Sequence, residues 1–418
     1  MSGDPAEPLH LFSGFGIELE YMIVDAQTRD VAPVSDELIK RVTGEYANDV
    51  EDGPIAWSNE LVLHVIELKT NGPAARLDEL PELFHKEIGR VNGELDALGA
   101  MLMPTAAHPW MNPMLETRLW PHGSNEIYAA YNRIFDCRGH GWSNLQSMHV
   151  NLPFADDTEF HLLHAAIRTL LPILPALSAS SPILGWEFTG FMDTRLEYYR
   201  RNSERIPCVT GQVVPEHVSS KAQYEEIILG PMYAAIHPYD PEGTLQYEWL
   251  NSRGAIARFE RNAIEIRVLD VQETPAADLA IAACVSAALK GLAESNWVDP
   301  AALEQLKTED LAAIFLDVVR DADQAVIRNR EYLGVFGFPG RDAIVADLWQ
   351  HLIESNRAGG ALLDAPARRH IDYILGHGSL ARRIVRACEP GFRRSHIQET
   401  WRVLCECLAR GEQFAGID

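Results

Sequence analysis

The sequence predicts an α+β fold in which a curved, mainly antiparallel sheet is lined by helices. Two observations support this prediction. Blocks that alternate apolar and polar residues and are rich in β-branched side chains lie far apart in residues 14–275, without the regular strand–helix alternation of a parallel sheet. From Ala276 to Asp418, nearly every segment has helical spacing instead. We therefore expect an α+β domain over residues 1–295 and a helical C-terminal region over residues 296–418, packed on it.

The predicted strands and helices follow in a definite order. The strand segments are GFGIELEYMIVD at 14–25, ELVLHVIELKTN at 60–71, LQSMHVNLPF at 145–154 and RFERNAIEIRVLDVQETP at 258–275. MLMPTAAHP at 101–109 is expected to be a short strand that runs into a loop. Helices are expected from Leu77 to Leu98, with Gly99 as the stop, and from about Asp156 to Leu171. Residues 178–215 are expected to form a loop, because serine, proline and glycine are frequent there.

The composition is that of a globular protein and excludes several functional classes. Hydrophobic residues make up 47% and charged residues 23% of the chain, which rules out wholesale disorder. The 36 basic and 60 acidic side chains give a formal charge of −24, which would repel the phosphate backbone of a nucleic acid. The six cysteines show neither zinc-ligand spacing nor the density of a disulfide-rich secreted domain, so we expect buried thiols in a reducing compartment.

The sequence also argues against a membrane protein. The leader MSGDPAEPLH lacks the basic and apolar regions of a signal peptide. The uncharged run from Thr169 to Trp186 is long enough to test as a membrane span, but it contains three prolines and several serines. A buried helix end and loop is therefore the expected structure. We expect a cytoplasmic protein with neither a membrane nor a nucleic-acid partner.

The first strand carries two glutamates on one face. Glu18 and Glu20 are separated by one residue in an otherwise apolar segment, and alternate residues of a strand point to the same side. Two half-buried carboxylates so close together are unfavourable unless a cation or arginines neutralise them. Mg²⁺ is the simplest cation because it prefers carboxylate oxygens. For this motif alone, an exposed strand face is the alternative.

The same spacing recurs in three later strands. The polar sets at alternate positions are Glu67, Lys69 and Asn71; His149 and Asn151; and Glu265 and Arg267, with Leu269 on the same expected face. A lone histidine is more often a satisfied core residue, and a single glutamate–arginine pair is more often a surface ion pair worth less than about 1 kcal/mol. The joint occurrence of these sets favours one polar sheet face or channel that binds metal and phosphate.

Two arginine clusters could supply phosphate-binding groups, because a guanidinium offers planar, bidentate, permanently charged donors. The clusters are Arg253, Arg258, Arg261 and Arg267, and Arg195, Arg200, Arg201 and Arg205. No Walker A sequence, dinucleotide-binding glycine pattern or nucleophile elbow is present. A nucleotide would therefore be held through metal ions and arginines.

Five segments together resemble the carboxylate–amine ligase family, which includes the glutamate–cysteine ligases and is related in fold to glutamine synthetase. They are GIELEYMIVD, NELVLHVIELKTN, QSMHVNLPF, SASSPILGWEFTGF and NAIEIRVLDVQETP, in the family's order within residues 12–290. The resemblance implies a glutamine synthetase-like catalytic domain that binds ATP and two or three Mg²⁺ ions, with Mn²⁺ as an alternative. Members phosphorylate a carboxylate, usually the γ-carboxylate of glutamate, and an amine such as cysteine then displaces the phosphate to form an amide.

The resemblance also implies roles for particular residues. The implied metal ligands are Glu18, Glu20, Glu60, Glu67, His149 and Glu265. Arg267 would hold the transferring phosphoryl group with help from Arg258 or Arg261, and Asn151 would join Arg258 and Arg267 at the nucleotide. Residues 178–205 would contribute to the substrate pocket. Glu60 and Glu67 are seven positions apart, so both can face the site only if the strand contains a bulge or begins after residue 60.

Two departures from the family pattern are visible. Ser147 stands where many relatives have a histidine, so one metal ligand is missing. The family's closing Asn-Arg-Trp segment has only weak counterparts at 328–330 and 354–357. These departures concern the substrates more than the use of ATP and Mg²⁺.

Three functions are compatible with these observations. The first is an ATP-dependent ligase that joins an amino acid or another carboxylate to an amine. The second is a phosphotransferase on the same fold, and the third is a non-catalytic relative that binds a nucleotide or an amino acid. A charged sheet face costs stability, so its retention speaks against the third function. The expected partners are small-molecule substrates, and a homo-oligomer is compatible with the architecture.

Overall fold

The computed structural model describes residues 7–417, so part of the polar leader and Asp418 lie outside the described residues. The described strands are Gly16–Asp25 (β1), Asp49–Val50 (β2), Ile55–Asn59 (β3), Val65–Thr70 (β4), Ala100–Met103 (β5), Ser147–Pro153 (β6), Ile183–Leu184 (β7), Glu187–Phe188 (β8), Ala255–Arg258 (β9), Ala263–Asp270 (β10), Val326–Ile327 (β11) and Ala343–Ile344 (β12). Eight of them form the central sheet in the order β2-β3-β4-β1-β6-β10-β9, with β5 paired to the far end of β1. Every pairing between its strands is antiparallel, as the sequence predicts.

Helices surround this sheet and form most of the C-terminal region. The described α-helices are Ser35–Thr43 (α1), Leu80–Asp96 (α2), Pro113–Glu116 (α3), Asn125–Phe135 (α4), His140–Ser143 (α5), Asp157–Leu170 (α6), Pro175–Ser178 (α7), Thr194–Tyr199 (α8), Lys221–Tyr224 (α9), Gly230–Ile236 (α10), Pro275–Ala293 (α11), Thr308–Asp321 (α12), Arg330–Val335 (α13), Val345–Ser355 (α14), Ala365–His377 (α15), Leu380–Cys388 (α16) and Arg394–Arg410 (α17). The predicted helices at α2 and α6 are present with slightly shorter bounds. Asp156 caps α6 by accepting a hydrogen bond from the Glu159 N–H at 2.9 Å.

One face of the central sheet is apolar and is covered by helices. Ile17, Leu19 and Tyr21 alternate with Glu18 and Glu20 along β1, and the three apolar-face residues are fully buried. Residues of α2, α6 and α11 belong to the same apolar cluster. On this side the Nε1 of Trp57 in β3 donates to the Glu87 carboxylate on α2 at 3.0 Å. The helices therefore hold one side of the sheet rigidly and leave the opposite face for polar residues.

Helix α11 is the one described helix that is long and apolar enough to cross a membrane, with a mean hydropathy of 1.6. Within the described residues, 83% of its most apolar window is buried inside the protein, which is typical of a core helix. The run from Thr169 to Trp186 forms the end of α6, a 3₁₀ turn, α7 and the short strand β7, and most of it is buried. Both apolar segments therefore contribute to the core.

The C-terminal region shares the core with the sheet domain. Phe315, Trp349 and Ile374 belong to the same apolar cluster as the buried face of the sheet. The Nε1 of Trp349 donates to the Ile173 carbonyl at 3.0 Å, which joins α14 to the turn after α6. The division of the chain at residue 295 stays a prediction, and contacts of this kind bind the two regions together.

Four segments differ from their predicted structure. Residues 60–71 do not form one strand, because β3 ends at Asn59, a turn follows and β4 begins at Val65. Residues 258–275 likewise contain a hairpin, in which β9 turns into β10 at residues 259–262. Residues 178–215 are more ordered than a loop, because they contain the β7–β8 hairpin and α8, which Asp193 caps through the Leu196 N–H at 2.9 Å. In the C-terminal region, β11 and β12 interrupt the predicted run of helices.

We expect His164 to make the protein sensitive to acid. This side chain is buried on α6 with no hydrogen-bond partner among the described residues, and burial lowers its pKa to about 3 from an ordinary value of 6.5. The unfolded chain therefore takes up a proton near pH 6.5, whereas the folded protein does not, and stability decreases as the pH falls below 6.5. For this residue alone the loss between pH 6.5 and 5 should be about 2 kcal/mol.

His164→Leu removes this proton uptake. Between pH 6.5 and 5, the free energy of unfolding of the variant should therefore fall by about 2 kcal/mol less than that of the wild type. Urea titrations at pH 8, 6.5 and 5 would measure the difference. His237→Leu is the matched control, because His237 is exposed and its replacement should leave the slope unchanged. Equal slopes for the wild type and His164→Leu would contradict the assignment.

Candidate active site

Four neighbouring strands place most of the predicted polar residues on the open face of the sheet. In the order β4-β1-β6-β10, Glu20 lies opposite Glu67, Glu18 lies opposite His149, and Asn151 lies opposite Glu265. Directly opposed side chains in an antiparallel sheet have their Cβ atoms about 4.5–5.5 Å apart. The alternation along each strand therefore becomes one continuous polar face.

His149 lies at the centre of this face. Its Nδ1 is 2.7 Å from a Glu18 carboxylate oxygen and 3.7 Å from one of Glu265, and its Nε2 is 3.8 Å from Glu20. Ser147 lies 2.9 Å from the same Nε2 through its hydroxyl, which also donates to Glu20 at 3.0 Å. The imidazole is thus in reach of three carboxylates from two strands.

Ser147 takes the position that the family resemblance assigns to a second histidine. Its main-chain N–H and its hydroxyl both donate to the same oxygen of Glu20, at 2.7 and 3.0 Å. The serine is therefore integrated into the polar face, and it fixes the orientation of a carboxylate. Its role differs from that of a ligating imidazole, and the sequence does not predict this contact.

Glu265 connects the carboxylates to the arginines. Arg267 donates from Nε to Glu265 at 3.1 Å, with a second, shorter contact from Nη2. Arg258, across the β9–β10 hairpin, reaches the other oxygen of Glu265 at 3.4 Å and Glu260 at 2.7 Å. Asn151 donates to Glu18 at 3.1 Å. Arg258, Arg267 and Asn151 are therefore brought together with the carboxylates.

Glu67 and Glu60 lie at the other end of the polar face. Glu67 accepts a hydrogen bond from the Ser58 hydroxyl at 2.7 Å and is 3.2 Å from the Lys69 ammonium. Glu60 occupies the turn after β3, and the Leu61 N–H donates to it at 3.3 Å. The hairpin, rather than a bulge, allows both carboxylates to face the cavity.

The pKa values of these groups show an excess of negative charge. Burial, followed by the charge of Glu18, raises the pKa of Glu67 to about 7. Burial and the charges of Glu20 and Glu67 raise the pKa of Glu60 well above its ordinary value. Burial would lower the pKa of His149, but the hydrogen bond to Glu18 and the surrounding carboxylates raise it to about 9. The positively charged side chains of the protein therefore do not neutralise this face completely.

Glu18 and Glu265 are the carboxylates with the best-compensated charge. Burial would raise the pKa of each, but His149 lowers that of Glu18 and Arg267 lowers that of Glu265 to about 2. Both groups are therefore ionised at neutral pH. The face thus contains carboxylates that are held ionised beside others that resist ionisation.

A cavity of about 1120 Å³ lies over the polar face. The lining also includes an aromatic wall formed by Tyr128, Tyr131, Trp142 and Trp249. The ring centroid of Tyr131 is 5.2 Å from that of Trp142 and 5.9 Å from that of Trp249. Trp142 also lines a neighbouring cavity of about 670 Å³. The site therefore combines a charged floor with an aromatic wall, and the sequence pattern does not predict this wall.

Only some of the arginines in the two predicted clusters line the cavity. Arg258, Arg261 and Arg267 line the cavity, but the Arg261 side chain is 64% exposed at the rim and is 3.9 Å from Glu260. Arg253 is buried elsewhere and pairs with Glu216. In the second cluster Arg195 alone lines the cavity, whereas Arg200, Arg201 and Arg205 do not. Residues 328–330 and 354–357 are likewise absent from the described lining of the cavity.

The expected orientation of Leu269 is wrong. In β10, Ile266 pairs with Val150 of β6, but the next regular pair is Leu269 with Met148, so one extra residue is inserted in β10. This β-bulge moves Leu269 to the apolar face, where it is fully buried. Asp270 then lies opposite Ser147. Periodicity alone does not indicate where a strand contains a bulge.

The arrangement could hold one or more divalent cations. Two groups of donors have their ligand atoms within 4.8 Å of one another, namely Glu18, His149 and Glu265, and Glu20, Glu67 and His149. Glu60 belongs to neither group, although it lines the same cavity. Carboxylate oxygens with one imidazole suit Mg²⁺ or Mn²⁺, and the uncompensated charge gives a cation a favourable position.

The sequence profile of glutamate–cysteine ligase family 2 matches residues 14–327, more than half of the chain. The chain belongs to this family. An uncharacterized protein of Archaeoglobus fulgidus is 31% identical over 402 residues, which cover 96% of this chain and 99% of the relative. A Bradyrhizobium protein (strain ORS 278) named "Putative glutamate--cysteine ligase 2" is 29% identical over 292 residues, which cover 68% of this chain but only 62% of that relative.

Two solved structures resemble this family member. A glutamate–cysteine ligase from Francisella tularensis, crystallised in complex with AMP, has a TM-score of 0.58 at 14% identity and covers 98% of this chain and 91% of its own. A bifunctional glutathione synthetase from Pasteurella multocida has a TM-score of 0.52 at 13% identity and covers 96% of this chain and 57% of its own. At these identities the similarity concerns the fold, and it confirms the predicted α+β class.

We expect Glu67→Gln to change the thermal stability of the protein in different ways with and without a divalent cation. Without metal at pH 8, Glu67→Gln removes a charge beside Glu18, so the midpoint of thermal unfolding should rise or stay unchanged. With Mn²⁺ at 100 times its dissociation constant, the wild type should gain about 2.7 kcal/mol of stability. The variant should gain less at the same concentration because it lacks one donor oxygen.

Thermal unfolding of both proteins, with and without Mn²⁺, measures the two effects. Glu94→Gln is the matched control, because Glu94 lies on the surface of α2 and pairs with Arg41. The same Mn²⁺ shift in Glu67→Gln and in the wild type would show that Glu67 is not a ligand.

Proposed function

We propose that the protein is an ATP-dependent carboxylate–amine ligase. It activates a carboxylate, for which the γ-carboxylate of glutamate is the leading candidate, as an acyl phosphate and joins it to cysteine or another amine. The observation that supports this most strongly is the polar face itself, where buried carboxylates and an imidazole lie beside Arg258 and Arg267 in one cavity. This combination of groups suits phosphoryl transfer, in which positioning and charge neutralisation do most of the work.

ATP is the proposed nucleotide for two reasons. The Francisella ligase of similar fold was crystallised with AMP. In this chain, the cavity provides arginines and an aromatic wall, which suit phosphates and a purine ring respectively. Asn151, Arg258 and Arg267 are the proposed nucleotide contacts.

The proposed metal ligands are Glu18, Glu20, Glu67, His149 and Glu265, with Glu60 at the edge of the set. Two or three Mg²⁺ ions, or Mn²⁺, would supply neutralisation of the phosphate oxygens when bound. The donor set fits such ions, because burial and then neighbouring negative charge raise the pKa of Glu60 and that of Glu67. Neutral Glu60 and Glu67 would have to lose their protons as cations enter.

The residues of the chain have distinct parts in the reaction. Arg267, which Glu265 orients, would hold the transferring phosphoryl group while a substrate carboxylate oxygen forms a bond to phosphorus and the bond to ADP breaks. The amine nitrogen then attacks the acyl carbon, the carbon–oxygen bond to phosphate breaks and the amine loses a proton. Tyr131 and Trp142 would help to exclude water, which otherwise hydrolyses the acyl phosphate.

ADP formation with Mg²⁺, glutamate and a panel of amines that includes cysteine would test the proposal. We expect ADP, phosphate and an amide product, all dependent on both the acid and the amine. Glu18→Gln and Arg267→Ala should each lower kcat by at least about 100-fold, because the first removes a proposed metal ligand and the second removes the group that would hold the transferring phosphoryl. Chromatographic separation of nucleotides and products gives the measurement.

Arg320→Ala is the control, because Arg320 is exposed on α12 and its ion pairs within residues 7–417 are with Asp317 and Asp321. Its activity should equal that of the wild type. A stable phosphorylated product without an amide would instead establish the phosphotransferase. Absence of ATP binding would exclude both enzymes and favour a non-catalytic relative.

A further inference from the structure

Arg267 is one of the residues that form the bulge in β10. Ile266 pairs with Val150 and Leu269 with Met148, so Arg267 and Val268 are the residues between the two regular pairs. The N–H of Arg267 still donates to the carbonyl of Gly254 at 3.0 Å. The N–H of Gly254, however, donates to Val213 at 2.7 Å instead of returning a bond to Arg267. The sheet therefore does not satisfy the Arg267 carbonyl through this neighbour.

Arg195 supplies the hydrogen bonds that the sheet lacks. Its Nη1 and Nη2 donate to the Arg267 carbonyl at 3.3 and 3.4 Å. Its Nε donates at 2.5 Å to Asp270, which lies at the other end of the bulge. One guanidinium therefore binds both ends of the irregular segment.

The Arg195–Asp270 pair is itself held in place. The side chain of Arg195 is 2% exposed and that of Asp270 is fully buried, so neither is free to reorient in solvent. The second oxygen of Asp270 accepts hydrogen bonds from the Ser180 N–H at 2.8 Å and the Ser181 hydroxyl at 2.9 Å. Such a buried pair is rigid when both charges are present and hydrogen-bonded.

The packing on the other side of the bulge is equally close. A Cβ added to Gly254 would lie 2.5 Å from Val268 and 3.0 Å from Val213, so only glycine fits there. Val268 is fully buried. The main chain at Arg267 therefore has close neighbours on one side and the Arg195 guanidinium on the other.

We infer that Arg195 is a positioning residue of the active site, which acts through the main chain of Arg267. By bridging the Arg267 carbonyl and Asp270, it fixes the bulge and so directs the Arg267 guanidinium towards Glu265 and the cavity. This role differs from direct phosphate binding, because the described contacts of Arg195 are with the protein. Its effect on catalysis depends on the proposed function, whereas its effect on the bulge does not.

Arg195→Lys tests this inference, because the lysine keeps the charge beside Asp270 and is too short to replace both hydrogen bonds to the Arg267 carbonyl. We expect kcat to fall about 10- to 100-fold, as for a small misplacement of a reacting group. Adding Arg195→Lys to Arg267→Ala should cause no further loss of kcat, because Arg195 acts through the side chain that is already missing.

Losses that multiply in the double variant would overturn the inference, since Arg195 would then act on the ligand directly or only on general stability. Arg168→Lys is the matched control. Arg168 is fully buried and also donates to main-chain carbonyls, those of Pro215 and Leu306, but it does not line the cavity. Its kcat should equal that of the wild type at temperatures at which it is folded.

Crystal structures of the wild type and Arg195→Lys provide a readout that is independent of turnover. We expect a rearranged main chain at Arg267 and Val268 and a displaced Arg267 guanidinium in the variant. An unchanged bulge and an unchanged Arg267 would overturn the inference, whatever the activity. If the wild type turns over no substrate, the proposed function fails and the structures still decide the role of Arg195.

Discussion

The crowding of carboxylates around one imidazole is the constraint on which the architecture depends. Glu18, Glu20 and Glu265 all approach His149 because β1 lies between β4 and β6, and β6 lies between β1 and β10. Like charges at this distance repel, and a solvated surface would let them move apart. They stay together because the opposite side of the same strands is buried against helices. The apolar face thus provides the energy that holds the polar face in an unfavourable arrangement.

Neutralisation of these charges is graded across the sheet. At the β10 end, Arg258 and Arg267 compensate Glu265 fully, and its pKa is about 2. At the β4 end, Lys69 is shared between Glu67 and Asp49, and burial and the charge of Glu18 raise the pKa of Glu67 to about 7. A cation would therefore gain most near β4, whereas an anion would find guanidinium groups near β10. The polar face is therefore asymmetric, with its least compensated carboxylates towards β4 and its guanidinium groups beside Glu265 at β10.

The sequence predicts the parts of the site that follow from strand periodicity. Alternation of side chains within β1 and β6 is enough to place four residues on the same face of the sheet, namely Glu18, Glu20, His149 and Asn151. A regular antiparallel register then brings them together. The orientation of Glu60 could not be predicted in this way, because it depends on the β3–β4 turn. The segment IAWSN, which forms β3, is too short to show an alternating pattern. The misplacement of Leu269 has a similar cause, because a bulge changes the facing of all later residues in the strand.

Other parts depend on long-range contacts that have no local signal. Arg195 is one of four arginines in a short segment, and only its burial against Asp270 distinguishes it from Arg200 and Arg201. The aromatic wall combines α4, Trp142 and Trp249 from separate segments, so no single motif reveals it. The family resemblance assigns residues 178–205 to the substrate pocket, but it neither distinguishes Arg195 from the other arginines there nor reveals the aromatic wall.

The strand order also has a kinetic consequence for folding on the ribosome. Glu18 meets His149 across 131 residues of chain, and Arg195 meets Asp270 across a further 75. Strand β1 is thus synthesised long before its neighbour β6, and closing such long loops costs entropy before any contact compensates for it. Until about residue 270 has emerged, β6 lacks its second neighbour β10, and the sheet stays incomplete. The nascent chain is therefore most exposed to aggregation while the sheet is incomplete, when assistance from chaperones would matter most.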